Sequence, residues 1–138
     1  MPAAFVIDAS VTLAGVLPDE SHAGARRILS AAMRAGAAAP PVWAFEVANV
    51  LVVKMRKGVL TPDQTREIFE VLRGIELAED ACEPMRAGVA AFDLAVRRKL
   101  SVYDASYLRL ALDLGLPLAT LDMRLAAAAR SEGCAVLP

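Results

Sequence analysis

The feature that most constrains the fold is a short apolar run near the start of the sequence. Phe5, Val6 and Ile7 are followed at once by Asp8 and then by two small residues. A run without polar alternation is typical of a strand covered on both faces, as in parallel sheets. In open α/β sheets, ligands and catalytic groups gather at the carboxyl ends of such strands. We therefore predict a central buried strand ending at an acidic site, although Asp8 is equally suited to cap the following helix.

The composition is that of one domain with a sizeable core. The chain has 138 residues, of which 57% are hydrophobic and 22% charged, with a formal net charge of −1. Every apolar stretch is shorter than the roughly 18 residues of a membrane span, and no basic leader precedes a cleavable apolar segment. Cys82 and Cys134 lack metal-ligand and disulfide-framework spacing, so we expect half-buried free thiols. We predict a single cytoplasmic domain over residues 1–138.

Strand-like and helical segments alternate along the chain. Besides the first run, short strand-like segments occur at 37–39, 75–77, 116–121 and 135–137. This alternation predicts an α/β fold in three layers, with a small parallel sheet flanked by helices.

Capping residues mark where several helices begin. Asp19, Glu20 and Ser21 are suited to start one helix, and the segment 61–64 (Thr-Pro-Asp-Gln) is a complete start signal for another. Pro84 opens a later helix, for which we predict a buried stripe of four residues: Met85, Val89, Phe92 and Val96.

Four carboxylates stand out against this framework. Glu46 lies within a helix at 42–57 that is apolar nearly all round, where an unpaired carboxylate is costly. Asp122 ends a second buried strand and so repeats the arrangement of Asp8. Asp104 lies near the start of a helix. Because the carboxyl ends of parallel strands share one edge of a sheet, we expect these four acids to converge there.

Structural roles remain open for two of these acids. Asp104 follows Ser101 at capping-box spacing, which by itself explains an acid at that position. Glu46 can instead reach solvent or pair with an Arg.

The acids indicate a chemistry if they do converge. Carboxylates without a nearby histidine or cysteine form an all-oxygen site, which suits Mg²⁺ or Mn²⁺ better than zinc. Ions held in this way activate water and neutralise the charge that builds on a phosphate during in-line displacement. The expected reaction is therefore phosphodiester hydrolysis.

The motifs, in this order and spacing, resemble those of PIN-domain ribonucleases, and in size and spacing those of the VapC toxins of toxin–antitoxin pairs. The resemblance covers essentially the whole chain and rests on the segments 5–10, 46–51, 101–108 and 120–125. It implies a three-layer α/β/α PIN-like fold and a metal-dependent endoribonuclease, the toxin of a type II toxin–antitoxin system. By the same resemblance, the ligands of Mg²⁺ or Mn²⁺ are Asp8, Glu46, Asp104 and Asp122.

The resemblance also implies supporting residues and partners. Ser10 and Thr120 would line the acidic pocket, and Asn49 would support Glu46 from the next turn of its helix. The implied partners are an RNA substrate, a cognate antitoxin whose tail enters the acidic groove, and a second copy of the chain in a homodimer.

Two further groups of residues are predicted to contact these partners. Basic residues near the acids are expected to hold the RNA backbone: Arg97, Arg98, Lys99, Arg109 and Arg124. Apolar residues of the two helices on either side of Gly58 exceed what one small core needs and predict an interface: Trp43, Phe45, Met55, Ile68, Phe69 and Leu72.

Other classes of protein begin in a similar way. A haloacid-dehalogenase-type phosphatase needs a second Asp two residues after the first, where this chain has Ser10, and a late acidic pair, where Asp122 is followed by Met123. A receiver domain needs an early acidic pair that is also missing. A non-catalytic PIN-like binding module that keeps the acids as helix caps remains open, and a nuclease assay with and without metal distinguishes it.

Overall fold

The computed structural model describes residues 3–20 and 22–138. Helices and strands alternate as the sequence predicts, and they follow in this order: β1 (Val6–Ile7), α1 (Ala9–Val16), α2 (Ala23–Ala35), β2 (Ala37–Ala38), α3 (Val42–Arg56), α4 (Pro62–Arg73), β3 (Leu77–Ala78), α5 (Pro84–Arg98), α6 (Val102–Leu114), β4 (Leu118–Ala119), α7 (Met123–Ser131) and β5 (Val136–Leu137).

The five strands form one parallel sheet in the order β3-β2-β1-β4-β5. The chain winds from β1 through β2 to β3 on one side, and β4 and β5 lie on the other. Right-handed crossovers in opposite directions place helices on both faces of the sheet. The predicted three-layer α/β/α architecture is thus confirmed. The strand order reverses between β1 and β4, and this switch point is where open α/β sheets bind ligands.

Strand β1 is the buried centre of the sheet, as predicted. Val6 and Ile7 are completely buried and Phe5 is 3% exposed. Val6 lies opposite Ala38 on one neighbouring strand and Leu118 on the other. A strand covered by partners on both edges and by helices on both faces has no position for a polar side chain until it ends at Asp8.

Two expected element boundaries are wrong. The edge strand predicted at 75–77 is Leu77–Ala78, because the N–H of Ile75 still bonds to the carbonyl of Leu72 at the end of α4. The cap of α2 is His22, whose Nδ1 accepts the N–H of Ala25.

The residues expected to cap α2 have other positions. Asp19 pairs with Lys54 at 2.8 Å, with Glu20 close by at 3.9 Å, whereas Ser21 lies outside the described residues. The start signal at 61–64 is confirmed, since Thr61 and Gln64 form a reciprocal capping box at the start of α4.

The predicted buried stripe of α5 is also wrong. Its four members lie 55–71% exposed: Met85, Val89, Phe92 and Val96. The buried face consists of Ala91, Leu94 and Ala95 instead. Both sets have helical spacing, and the smaller residues allow α5 to approach α6 closely. An exposed apolar stripe of about three turns remains on the outer face of α5, and we call it the α5 stripe.

The apolar surplus of α3 and α4 divides between core and surface. Trp43, Ile68 and Leu72 belong to the core, whereas Phe45 is 74% exposed. Phe69 and Met55 are also exposed. Both cysteines are free, with Cys82 half-buried as expected and Cys134 fully buried. None of the helices within 3–20 and 22–138 is long and apolar enough to span a membrane.

A buried hydrogen-bond chain fixes α3 relative to β1. The Thr12 hydroxyl donates to the carbonyl of Asp8 at 2.7 Å and accepts from Nε1 of Trp43 at 3.0 Å. Thr12 is completely buried, so its hydroxyl has no access to water. Because Glu46 follows Trp43 by one turn of α3, this chain also sets the position of Glu46 relative to Asp8.

Thr12→Val tests this connection. Valine has the shape of threonine but leaves the buried Trp43 N–H without an acceptor, so we expect the free energy of unfolding to fall by about 1–3 kcal/mol. Urea denaturation measures the change. Thr65→Val on α4 is the control, because that hydroxyl donates to Thr61 in an exposed setting. Equal losses for the two variants would contradict the role of the Trp43 contact.

Candidate active site

The register of β1 and β4 brings Asp8 and Thr120 together. Ile7 lies opposite Ala119, and the N–H of Asp8 donates to the carbonyl of Ala119 at 3.1 Å. Both side chains therefore leave the carboxyl edge of the sheet at its switch point. The Thr120 hydroxyl donates to Oδ2 of Asp8 at 2.5 Å.

Asp8 is held in one orientation. Its Oδ1 accepts the Ser10 hydroxyl at 2.6 Å and the N–H of Val11 at 3.1 Å, so Asp8 also caps α1. With Thr120 on Oδ2, three of the roughly four lone-pair positions of the carboxylate are used. The remaining position is on Oδ2. Capping and a site role are thus compatible for this residue.

Asp122 lies in the loop after β4 and joins the same network. Its carboxylate caps α7 by accepting the N–H groups of Arg124 and Leu125 at 2.9 and 3.0 Å. Its own N–H donates to the Thr120 hydroxyl, and the N–H of Leu121 donates to Ser10. Ser10 and Thr120 therefore connect the loops that carry Asp8 and Asp122.

Asp104 lies in the first turn of α6, near the other acids. Ser101 caps this helix, because its side chain accepts the backbone N–H of Asp104 at 3.0 Å. The predicted capping role of Ser101 is thus confirmed. Burial raises the pKa of the Asp104 carboxyl, and the charges of Asp122, Glu46 and Asp8 raise it further. Asp104 is therefore within electrostatic range of the other three acids.

Glu46 is positioned by a residue that the sequence analysis did not select. The Tyr107 hydroxyl donates to Oε1 of Glu46 at 2.5 Å, and Tyr107 is only 1% exposed. Burial and the Glu46 carboxylate raise the pKa of the Tyr107 phenol, which therefore stays protonated as a donor. Tyr107 follows Asp104 by three residues and hence shares its side of α6. This three-residue spacing is the sequence signal that could have identified Tyr107 as a site residue.

The predicted support of Glu46 by Asn49 is not found. Asn49 is exposed, and within the described part of the chain no hydrogen bond joins it to Glu46. Asn49 lies three residues after Glu46 and so on the same side of α3, but the half-buried Glu46 side chain turns away towards Tyr107 on α6. The alternatives of an Arg partner or of full exposure do not describe Glu46 either, since its partner is Tyr107.

Burial dominates the electrostatics of Asp8. Burial raises the pKa of its carboxyl, the charge of Asp122 adds to this, and the hydrogen bonds from Ser10, Thr120 and Val11 oppose it. Asp8, Asp104 and Asp122 also lie at the N-termini of α1, α6 and α7, where helix dipoles favour negative charge. These donors and dipoles let a cluster of acids persist in the folded chain.

The donor set fits a hard divalent cation. The available ligands are carboxylate and hydroxyl oxygens, and burial is the main cause of the raised pKa values of Asp8 and Asp104. Within residues 3–20 and 22–138, no three Asp, Glu, His or Cys side chains form a metal cage by themselves. Mg²⁺ needs no such cage, because it keeps several waters and is commonly held by one or two carboxylates plus phosphate oxygens.

Four of the five predicted basic residues lie where α5 and α7 meet. Arg97 and Arg98 both donate to Glu132 at the end of α7, at 3.1 and 2.6 Å. Arg124 reaches across to the carbonyl of Lys99 at 3.4 Å. These four residues connect α5 to α7, with Arg124 at the Asp122 end of α7 and Arg97 and Arg98 at its Glu132 end, and we call them the α5/α7 basic face. Glu132 neutralises part of its charge.

Arg109 does not belong to this face, which corrects the sequence-based prediction. It is 3% exposed, and its guanidinium pairs with Asp80 and with Asp113. A buried arginine enclosed by two carboxylates offers no free cation to an RNA backbone. The sequence around Arg109 does not indicate that it lies on the inner face of α6, because its charge resembles that of the exposed basic residues.

Comparison with known proteins identifies the family to which this architecture belongs. A family model for the PIN domain matches residues 5–131. The chain belongs to the PIN-domain family. The phosphatase and receiver alternatives are therefore not supported.

Two relatives extend the comparison. The PIN domain is 35% identical over 121 residues to ribonuclease VapC3 of Pyrobaculum aerophilum, covering 88% of this chain and 91% of the relative. The crystal structure of PAE2754 from Pyrobaculum aerophilum superposes with a TM-score of 0.71 at 27% identity, covering 99% of this chain and 92% of that one. The likeness thus extends over the full domain, and the chain is a VapC-type PIN domain.

The raised pKa of Asp104 predicts how stability depends on pH. The folded pKa lies above the unfolded value of about 3.9, so the native state binds more protons between these two values. Its contribution to the free energy of unfolding therefore increases as pH falls through the folded pKa. Asp104→Asn removes the repulsion, so at pH 7 in EDTA we expect no loss, and up to about 1 kcal/mol of gain after solvent screening.

Urea denaturation at pH 7 and pH 5 tests this expectation. Glu70→Gln, an exposed change on α4, controls for the loss of a surface charge. Asp8→Asn should behave differently, because one carboxylate oxygen becomes an NH2 group that cannot accept, so the variant loses a buried hydrogen bond from Thr120 or from Ser10 and Val11. A clear loss of stability in Asp104→Asn at pH 7 would show that repulsion at this position is negligible.

Proposed function

We propose that this PIN domain is a metal-dependent endoribonuclease that hydrolyses RNA phosphodiester bonds as the toxin of a type II toxin–antitoxin system. The observation that carries the proposal is the hydrogen-bond network of Ser10 and Thr120, which joins the loops of Asp8 and Asp122 at the switch point of the sheet. The charges of Asp122, Glu46 and Asp8 also raise the pKa of Asp104. Phosphodiester hydrolysis uses such a concentration of carboxylates to hold Mg²⁺ or Mn²⁺. The ribonuclease name of the VapC3 relative supports the same activity.

Each acid has a distinct position in the proposed mechanism. Asp8 presents the free lone pair of Oδ2 in a direction set by Ser10 and Thr120. Tyr107 on α6 holds Glu46 through its hydroxyl, and Asp104 offers a carboxylate on the first turn of α6. Asp122 lies at the start of α7, where it also caps that helix. When bound, a divalent ion supplies an activated water and charge neutralisation at the phosphate.

The main test is RNA cleavage by the purified chain. We expect cleavage in Mg²⁺ or Mn²⁺, none in EDTA, and a loss of at least about 100-fold in Asp104→Asn, since electrostatic stabilisation of the transition state is of that size. Melting curves provide a second readout, because Mn²⁺ should stabilise the wild type but not Asp104→Asn.

Glu70→Gln again serves as the matched control, since it removes a carboxylate far from the switch point. It should retain both cleavage and the Mn²⁺ shift. Cleavage that persists in EDTA, or an equal Mn²⁺ shift in wild type and Asp104→Asn, rejects the shared metal site. A chain that binds Mn²⁺ without cleaving RNA would be the non-catalytic binding module.

We further propose that the α5/α7 basic face holds the RNA backbone. Each phosphate contact on a single strand contributes about 0.7 to the slope of log affinity against log salt. Arg97→Ala/Arg98→Ala is expected to weaken RNA binding and to flatten this slope by up to about 1.4. Glu132→Gln should shift affinity the other way, because it releases both arginines from a carboxylate.

Fluorescence anisotropy over a salt series measures both slopes, with thermal melts to confirm that the variants are folded. Arg66→Ala, on the exposed face of α4, is the matched control for loss of a cation. Identical slopes for the double variant and the wild type would remove Arg97 and Arg98 from the RNA-binding surface.

We propose that the protein is cytoplasmic, and that its protein partners are a cognate antitoxin and a second copy of the chain. Besides the exposed part of the predicted α3/α4 interface (Phe45, Met55 and Phe69), the exposed α5 stripe is a second surface suited to the homodimer, since a run of large apolar residues on one helix favours burial. Val89→Asp should give a monomer in sedimentation velocity, whereas Val59→Asp, at another exposed valine, should not. A wild type that sediments as a monomer at all working concentrations contradicts the dimer.

A further inference from the structure

A cavity lies beside the acids, outside the part of the site assigned to metal and phosphate. Its volume is about 360 Å³, at the small end of the roughly 300–1,000 Å³ range of ligand sites. It is bounded by the turn that precedes α3, by the first two turns of α5 and by the first turns of α6. Most of its wall is apolar and includes Pro40, Pro84, Ala91 and Val102.

The cavity adjoins two of the acids through shared helices. Val42 lines it and lies one turn before Glu46 on α3. Tyr103 lines it and directly precedes Asp104 on α6. One helical turn rises about 5.4 Å, so a group in the cavity lies within one nucleotide's reach of a phosphate at these acids.

Polar and aromatic groups make the cavity more than an apolar gap. Tyr103 is 61% exposed at its rim, which leaves an aromatic face uncovered. Two charged residues whose side chains are largely buried also line it, Asp80 and Arg109, and they pair with each other. Among the described residues, Nε of Arg109 is the buried side-chain polar atom that lacks a hydrogen-bond partner. A buried donor of this kind costs free energy unless something accepts from it.

We propose that this cavity binds a nucleobase of the RNA, next to the phosphate that is cleaved. A base has flat apolar faces that stack on an aromatic ring, and a polar edge that suits a buried carboxylate and a buried N–H donor. Only an unpaired base can enter, so the substrate is single-stranded RNA. The cavity would then set the base preference of cleavage, and this inference rests on the proposed ribonuclease function.

The chemistry of the cavity favours a base over other occupants. A free anion is disfavoured, because Arg109 already faces the two carboxylates of Asp80 and Asp113. A purely apolar protein side chain would fill the walls but leave the donor of Arg109 without a partner. A base can pack against the apolar wall, stack on Tyr103 and form hydrogen bonds with Asp80 and Arg109.

Gly88 allows the cavity to be filled without disturbing the fold. It lines the cavity within α5, and a Cβ added there meets no atom within 4 Å. Gly88→Leu should therefore occupy the cavity, whereas Gly88→Ala adds only one methyl group and serves as its control. Tyr103→Ala removes the stacking face, and Phe92→Ala removes an aromatic of similar exposure from the α5 stripe.

Saturation-transfer NMR with the four nucleosides at millimolar concentration in EDTA measures base binding without metal or cleavage. We expect at least one nucleoside to bind, with binding lost in Gly88→Leu, weakened about tenfold in Tyr103→Ala, and unchanged in Gly88→Ala and Phe92→Ala. Absence of nucleoside binding, or binding that survives Gly88→Leu, overturns the proposal.

Cleavage of a random-sequence RNA pool with Mn²⁺ separates this proposal from the proposed function. A base preference that is present in wild type and lost in Gly88→Leu supports the cavity. Cleavage whose base preference is unchanged in Gly88→Leu rejects the cavity but leaves the ribonuclease intact. Nucleoside binding without any RNA cleavage rejects the ribonuclease instead. Loss of binding to a partner protein in Gly88→Leu, with base preference retained, assigns the cavity to a protein side chain and overturns the proposal.

Discussion

The parallel pairing of β1 with β4 is the constraint on which the site depends. This pairing sets Ile7 opposite Ala119, so that Asp8 and Thr120 leave the sheet side by side. A slip of one residue would turn Asp8 to the other face of the sheet and separate it from Thr120. The register is secured because Val6, Ile7, Leu118 and Ala119 are all completely buried. The hydrophobic core thus determines the geometry of the most polar part of the molecule.

The acids keep structural roles while they form a charged cluster. Asp8 caps α1 and Asp122 caps α7, and both remain at the edge where the four carboxylates meet. Backbone N–H donors and helix dipoles offset part of the repulsion, but burial still raises the pKa of Asp8 and Asp104. Because the charged form of these carboxylates is still disfavoured, a bound cation would stabilise the folded chain. Capping and the proposed metal binding are therefore compatible roles for the same residues.

Helix α5 and Arg109 show where patterns along the chain fail. The stripe from Met85 to Val96 and the set Ala91, Leu94 and Ala95 have the same helical period, and only close packing against α6 decides which faces inwards. Arg109 resembles the other basic residues in sequence, yet it is buried between Asp80 and Asp113. Each outcome depends on contacts between segments that are distant in sequence, and these are not encoded in local periodicity.

The sequence by itself determined the fold class, the buried first strand and the start of most helices, because these follow from hydrophobic runs, capping residues and motif spacing. It also selected the four acids that remain the proposed metal ligands. Only the tertiary structure decided which groups hold the acids in place. Tyr107 replaced Asn49 as the partner of Glu46, since the direction of a side chain depends on how α3 packs against α6. The structure also revealed the cavity beside Tyr103, because an empty volume is a property of packed elements and has no signature in a linear chain.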